Sequence, residues 1–497
     1  MRKSAFYRLM IGFAGLSLVA SIGLAQAGKA KSPSAADTET IGRLFLSPKT
    51  IRTVCTNRIG MMVKQGYETN GLKEKLQSLP DSFDALLGFA LELAKAPMRA
   101  DFSYIEPFDL AAIQAARPSA GRKDVMPVTP SEVELRDKIA GGVYGQFIGL
   151  VLGKPLEMSW TLPMIRTYLE GAKAWPLDDF VPPYSPTQPR RLRRDCMDCT
   201  KGFVSGVPED DDLNYFVANL RTMEARGTNF TTRDIADTWI QEIPYDWAWG
   251  PEHSRLFLIA GLRLDDHGAA LPEDKDWEKF VGFLNDGEEL IGAMIRGEVF
   301  GLACPGNPVR AAELAWRDGR LTHTRTGLYA EMWLAATVAA AFSTNNPVEA
   351  IQAGIDQIPV NSRYAECLNE ALRISMEEAD WLKAWERIDK KWGALGHAGT
   401  MNESAAMINA LVHSADPIAG VDYGKAITLT VMQGWDADCS GAMTGSIAGV
   451  IAGLKKIPER WREPLNDTYN SGLATERETR ISRLADRVYQ AIKYMSR

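Results

Sequence analysis

Histidine is scarce in this chain. There are five in 497 residues, His253, His267, His323, His397 and His413, and they are scattered. That excludes a histidine-rich zinc site and leaves aspartate and glutamate to carry any metal. Cysteine is little commoner, at six, and only Cys196-Met-Asp-Cys199 forms a close pair. No second pair completes a zinc site, and no βαβ pattern surrounds it to suggest a thioredoxin fold, so a loop disulfide or two free thiols remain. Basic charge is in deficit, with a formal net charge of −7. This argues against nucleic acid or an anionic membrane surface as the main partner. Alternating strand patterns are almost absent, which predicts an all-α body.

Long apolar runs are missing too, apart from the first residues. Arg2, Lys3 and Arg8 precede an apolar stretch from Leu9 to Leu24, and Ala25-Gln26-Ala27 offers a small-residue cleavage site. Residues 1–27 therefore read as a signal peptide, with an uncleaved anchor as the alternative. Cleavage would release a periplasmic or extracellular protein with no stable membrane insertion. Residues 28–130 read as a small helical extension ending in a polar, proline-containing linker. Residues 131–497 read as the main helical domain.

Glycine, by contrast, is placed with unusual regularity. Gly141, Gly145, Gly149 and Gly153 follow a capping box at Ser131 and Glu134, and Gly441, Gly445, Gly449 and Gly453 repeat the spacing late in the chain. A glycine inside a helix costs about 1 kcal/mol against alanine. Residues four apart share a helix face, and a bare face lets another backbone come close. The stripes predict two helices in the crowded centre, packed on each other or, alternatively, each against another element with Glu157 left at the surface. An antiparallel pair would bring Glu157, just beyond the first stripe, to Asp436 and Asp438 at the start of the second.

The second acidic cluster is Pro208-Glu-Asp-Asp-Asp-Leu-Asn-Tyr215, which opens a helix with Leu213, Phe216, Val217 and Leu220 on one face and Gly227 as its stop. Acids suit a helix start. Adjacent carboxylates also repel one another, and a cation relieves that repulsion. Oxygen-only ligands favour Mg²⁺, Mn²⁺ or Ca²⁺. His323, at the start of an alanine-rich helix, reads as a structural hydrogen bonder, and the residues from Ile291 to Leu302 as one amphipathic helical piece.

Five motifs stand in order: Gly149-Leu-Val-Leu-Gly-Lys-Pro-Leu-Glu157, Pro208 to Tyr215 as above, Pro305-Gly-Asn-Pro308 with Ala311-Ala-Glu-Leu-Ala-Trp-Arg-Asp318, Leu321-Thr-His323, and Gly434-Trp-Asp-Ala-Asp-Cys439. Together they resemble the ADP-ribosylglycohydrolase family. The resemblance implies a compact all-helical fold and a Mg²⁺-dependent glycosyl hydrolase with two ions, Mn²⁺ being the substitute. It implies cleavage of the bond joining ADP-ribose, or a related ribosyl group, to an acceptor on a small molecule or protein. Its metal ligands fall on Asp210, Asp211, Asp212, Asp436, Asp438 and Cys439. Glu157 or Asp212 becomes the catalytic base, and Glu157 and Ser440 face the substrate. Three positions depart from the family pattern: Asp210 and Cys439 stand where threonines are usual, and Leu150 where aspartate is. Cys439 keeps open the alternative of a non-catalytic, ADP-ribose-binding or structural member. A redox role for Cys196 and Cys199 is the reading from a third class.

Overall fold

Helix starts in this protein are fixed by short polar side chains. Ser47 caps the helix Pro48–Lys64 through the Thr50 N–H, and Ser131 caps Glu132–Gly153 through the Glu134 N–H. Asp210 caps Asp211–Arg226. At Thr232–Glu242 the cap is reciprocal: the Asp234 N–H donates to Thr231 Oγ1 at 3.3 Å, and the Thr231 N–H to Asp234 Oδ2 at 2.8 Å. The structure, a computed structural model, describes residues 47–128, 130–158, 160–244, 247–263, 277–418 and 420–495. The expected signal peptide, residues 1–27, lies outside them. Among the described residues the named strands are all two residues long, and the architecture is all-α. None of the described helices is long and apolar enough to cross a membrane.

The chain divides into two compact units. One comprises the described residues up to Tyr104 together with Trp239–Glu288 and Arg320–Thr324. Its core gathers Ile51, Cys55, Ile59 and Met62 of the first helix against Leu86, Leu87 and Phe89 of the helix Phe83–Leu93, with Phe283 and Leu284 beside them. Burying each such side chain contributes about 1.5–3 kcal/mol. His323 is buried here, with Nδ1 at 2.7 Å from Thr322 Oγ1 and 3.5 Å from Glu252, which is the structural role expected of it.

The other unit comprises Ile105–Thr238, Glu289–Gly319 and Arg325–Arg497. The two glycine-striped helices, Glu132–Gly153 and Ala437–Ala452, run antiparallel at its centre. Gly141 lies against the Gly449 carbonyl, Gly145 against that of Gly445, Gly149 against that of Gly441, and Gly153 against that of Ala437. A methyl group at any of the four would overlap backbone, which cannot yield as a side-chain end can. The Tyr423 hydroxyl, from the neighbouring helix Tyr423–Gln433, donates to the Gly145 carbonyl at 2.9 Å. Outside this pair lies Arg325–Ala341, whose sixteen residues from Thr326 to Ala341 are all buried, as an alanine-rich helix apolar on every side must be.

One expected element differs. The residues from Ile291 to Leu302 do not form a single helical piece but a 3₁₀ segment, Ile291–Arg296, followed by the helix Glu298–Ala303. The break is at Gly297. Its N–H bonds back to the Met294 carbonyl at 3.1 Å, a tight i to i−3 turn, and a Cβ there would come within 3.0 Å of the Glu331 carbonyl oxygen.

Candidate metal centre

The antiparallel stripes decide where the acids meet. The first helix ends at Gly153 and tightens into the 3₁₀ turn Lys154–Leu156, which delivers Glu157. The second begins beside that turn, with Asp436 just before it and Asp438 in its first turn. A short clasp locks the two chain ends: Trp160–Thr161 pairs antiparallel with Gly434–Trp435, Trp160 opposite Trp435. Gly434 can lie on the Trp160 carbonyl only because it lacks a Cβ and holds φ +88°. Trp435 holds φ +66° without that freedom, a strain on the order of 1–3 kcal/mol at the edge of the site.

Asp210, Asp211 and Asp212 arrive on the third stretch. Asp210 Oδ1 accepts the Asp212 N–H at 3.0 Å, so this side chain caps its helix and also faces the other acids. The carboxylate oxygens of the three lie within 4.8 Å of one another, and the same limit holds for the ligand atoms of Asp436, Asp438 and Cys439. A third such group joins Glu157, His397 and Asp436. Asp210, Asp212, Asp436 and Asp438 are all buried, whereas the Glu157, His397 and Arg193 side chains are 14%, 27% and 37% exposed. The acids therefore sit at the bottom of a recess whose rim reaches solvent.

Sequence reasoning missed four participants. Lys154 is ion-paired with Asp210 and lies 3.6 Å from Asp438 Oδ2 and 3.8 Å from Glu157 Oε2. Arg193 Nη1 donates to Glu157 Oε2 at 2.7 Å. His397 Nδ1 is 3.9 Å from Asp436 Oδ1. Glu403, buried on the helix Thr400–His413, accepts the Asp436 N–H at 3.0 Å and so fixes the loop that carries the Asp436 carboxylate. Ser440 is placed differently from the expected substrate-facing residue. It is fully buried, and its hydroxyl donates to the Asp436 carbonyl at 2.9 Å, one helical turn back.

The electrostatics follow from this crowding. Burial, then the neighbouring aspartates, push Asp211, Asp212 and Asp436 well above the ordinary carboxylate range. Burial first and then Asp438 raise Glu157 to about 9, against the pull of Lys154 and Arg193. Burial alone would lower the Lys154 ammonium, but Asp210, Asp438 and Glu157 reverse that and raise it. Burial lowers His397, against the pull of Asp438.

Whether these residues suit a cation can be judged from their free oxygens. Asp212 Oδ2, Asp438 Oδ1 and Glu403 Oε2 are buried and have no hydrogen-bond partner among the described residues. Buried acceptors of this kind are costly unless something meets them, and an oxygen-rich set suits a hard divalent ion. Cys439 does not join them. Its thiol donates to Asp212 Oδ1 at 3.4 Å, and sulfur is a poor partner for Mg²⁺. Cys196 and Cys199 lie in the 3₁₀ segment Arg194–Cys199, and all six cysteines are free thiols.

Comparison with known proteins places this arrangement. A solved structure described as an ADP-ribosylglycohydrolase-related protein complex is 20% identical, with a TM-score of 0.41, and the alignment covers 73% of this chain and 100% of that one. No curated protein matches. The model of the ADP-ribosylglycohydrolase family matches residues 131–496, which hold every acid of the recess. That match spans well over half of the chain, and the chain belongs to the ADP-ribosylglycohydrolase family.

Proposed function

We propose that this protein is a divalent-cation-dependent glycosyl hydrolase that releases ADP-ribose, or a related ribosyl group, from an acceptor. The observation that carries this is the convergence of Glu157, Asp210, Asp211, Asp212, Asp436 and Asp438 in one recess, with Asp212 Oδ2 and Asp438 Oδ1 left without partners. The aspartates would hold the cation, Mg²⁺ or Mn²⁺. Bound there, it would supply Lewis acidity toward ribose hydroxyls and acidify a nearby water.

The chain's own groups divide the remaining work. Glu157 stands at the solvent-facing side of the acids; with positive charge bound beside it to favour its ionised form, its carboxylate accepts the proton of the water that attacks the ribose C1″ as the bond to the acceptor breaks, and passes that proton to the departing acceptor. Its Oε2 is held by Arg193, which fixes the carboxylate's orientation. Asp212 is the second candidate for the base. The departing ribosyl group carries oxocarbenium character, and the anionic floor of the recess stabilises that developing positive charge. Glu403 and Ser440 act as positioning residues, one on the Asp436 N–H and the other on the Asp436 carbonyl. Export through residues 1–27 belongs to the same proposal and is checked by sequencing the released protein, expected to begin at Gly28.

The test is a substrate screen. Purified protein is incubated with ADP-ribosyl-arginine, ADP-ribosyl-serine, poly-ADP-ribose and simple ribosides, with Mg²⁺ or Mn²⁺, and free ADP-ribose or ribose is measured by chromatography. Release is expected from at least one substrate and should stop with EDTA. Glu157→Gln should cut kcat by about 10²–10⁴-fold while cation binding by calorimetry persists. Cation binding without release from any substrate would favour the non-catalytic alternative. No cation binding at all would sink the hydrolase as proposed.

A further inference from the structure

Lys154 stands among the acids where a cation would be. It lies on the turn that follows the first striped helix, and its ammonium meets carboxylates from three separate stretches: Asp210 as an ion pair, Asp438 Oδ2 at 3.6 Å and Glu157 Oε2 at 3.8 Å. The contact is enclosed, with Lys154 13%, Asp210 1% and Asp438 5% exposed at the side chain. Other oxygens it leaves alone. Asp212 Oδ2 and Asp438 Oδ1 have no partner among the described residues, and ligand atoms of Asp436 and Asp438 come within 4.8 Å of each other. Asp438 thus offers one oxygen to the lysine and keeps the other free.

Two cations cannot share the Asp210 oxygen. An ammonium hydrogen-bonded to a carboxylate excludes a hard divalent ion at the roughly 2.0–2.6 Å that such ions require. Like charges about 4 Å apart repel strongly where water is scarce. The lysine is covalently fixed to the turn, so it is present at every metal concentration.

We propose that the Lys154 ammonium takes the place of one cation, so that the centre holds a single divalent ion, at Asp436 and Asp438, instead of the pair expected from the sequence. The inference rests on the metal-dependent reading above and narrows it. Cys439 fits the same picture, since its sulfur adds no oxygen to the remaining site.

The experiment counts Mn²⁺ per chain by elemental analysis after equilibration and desalting, paired with calorimetric titration. Wild type should bind one equivalent. Lys154→Met, which keeps the stem and loses the charge, should bind two, and Lys154→Arg should stay at one. Thermal melting confirms that each variant is folded, and Lys154→Gln replaces Lys154→Met if the latter is not. Two equivalents in the wild type, or any count but two in the folded neutral variant, overturns this inference and leaves the hydrolase reading standing. No equivalent in the wild type overturns the metal-dependent reading itself.

Discussion

Arg296 and Asp318 form an ion pair at 2.5 Å with neither side chain exposed, whereas Lys154 faces Asp210, Asp438 and Glu157 in a recess whose rim is open. Both groups lie in the same unit. In the closed group every strong donor of the guanidinium has somewhere to go: Nε to Asp318, Nη1 to the Gly292 carbonyl at 2.9 Å, Nη2 toward Glu331 at 3.9 Å, with the plane above the Tyr215 ring. Burial acts on its other acids as it does on those of the recess. Burial pushes Glu331 well up, with Asp318 adding to it, and burial pushes Glu298 to about 8. The recess has a similar excess of carboxylates over basic groups, and differs in that its rim, at Arg193 and His397, reaches solvent. Burial of acids alone therefore does not mark a functional site. A closed set must keep its protons and its internal counter-ion, whereas an open set can also be neutralised by a ligand from solution.

The sharpest way to break that contrast is to neutralise one aspartate in each group. Asp318→Asn leaves the Arg296 charge buried without its counter-ion and should cost about 3–5 kcal/mol of folding stability. Asp212→Asn in cation-free protein relieves repulsion among the recess acids and should raise the melting temperature, while weakening Mn²⁺ binding. Urea unfolding and thermal melting of both variants decide it. A loss of stability in both would mean that the recess is structural in the same sense as the closed pair.

Glu298 gives a smaller, pH-dependent test of the closed group. It is fully buried, and neither carboxyl oxygen has a hydrogen-bond partner among the described residues. Its folded pKa is raised from 4.5 to about 8, by burial. The folded state therefore holds this proton more tightly than the unfolded one, and stability is fully present below 4.5 and is lost as pH rises toward 8. The loss should reach a few kcal/mol and stop above that point. Glu298→Gln should flatten the curve, most visibly when urea midpoints at about pH 5 and about pH 9 are compared. An unchanged slope in the variant would show that another group titrates.

How much of this was legible in the chain depended on whether the signal was local. The glycine stripes were, because eight costly glycines at one spacing point to a close backbone contact, but that the two helices pair with each other, and antiparallel, is settled only by the fold. The helix start at Ser131 was legible for the same reason, since a cap is written within four residues. Glu403 and His397 were not. A buried glutamate on a helix has the same letter as a solvated one, and only the fold brings it to the Asp436 N–H. Lys154 stood inside a motif that was read for its glycines and its glutamate, and nothing local says that its ammonium turns toward Asp210. The crowding at Gly297 was hidden because the Glu331 carbonyl that lies against it is far along the chain.

The smallest expected effect asks whether the stripes hold the open recess together. Gly145 lies against the Gly445 carbonyl, and Gly60, in the helix Pro48–Lys64, has nothing within 4 Å of where a Cβ would be. Gly145→Ala should cost about 1–3 kcal/mol through overpacking and should also weaken Mn²⁺ binding, because forcing the striped helices apart moves the Lys154 turn away from Asp438. Gly60→Ala should change stability by no more than about 1 kcal/mol, in the stabilising direction, since alanine restricts the unfolded chain and favours the helix. It should leave Mn²⁺ binding untouched. If Gly145→Ala lowers stability but leaves the cation affinity at the wild-type value, the recess does not depend on the close helix contact. The clasp of Trp160–Thr161 on Gly434–Trp435 would then be the element that keeps its acids in register.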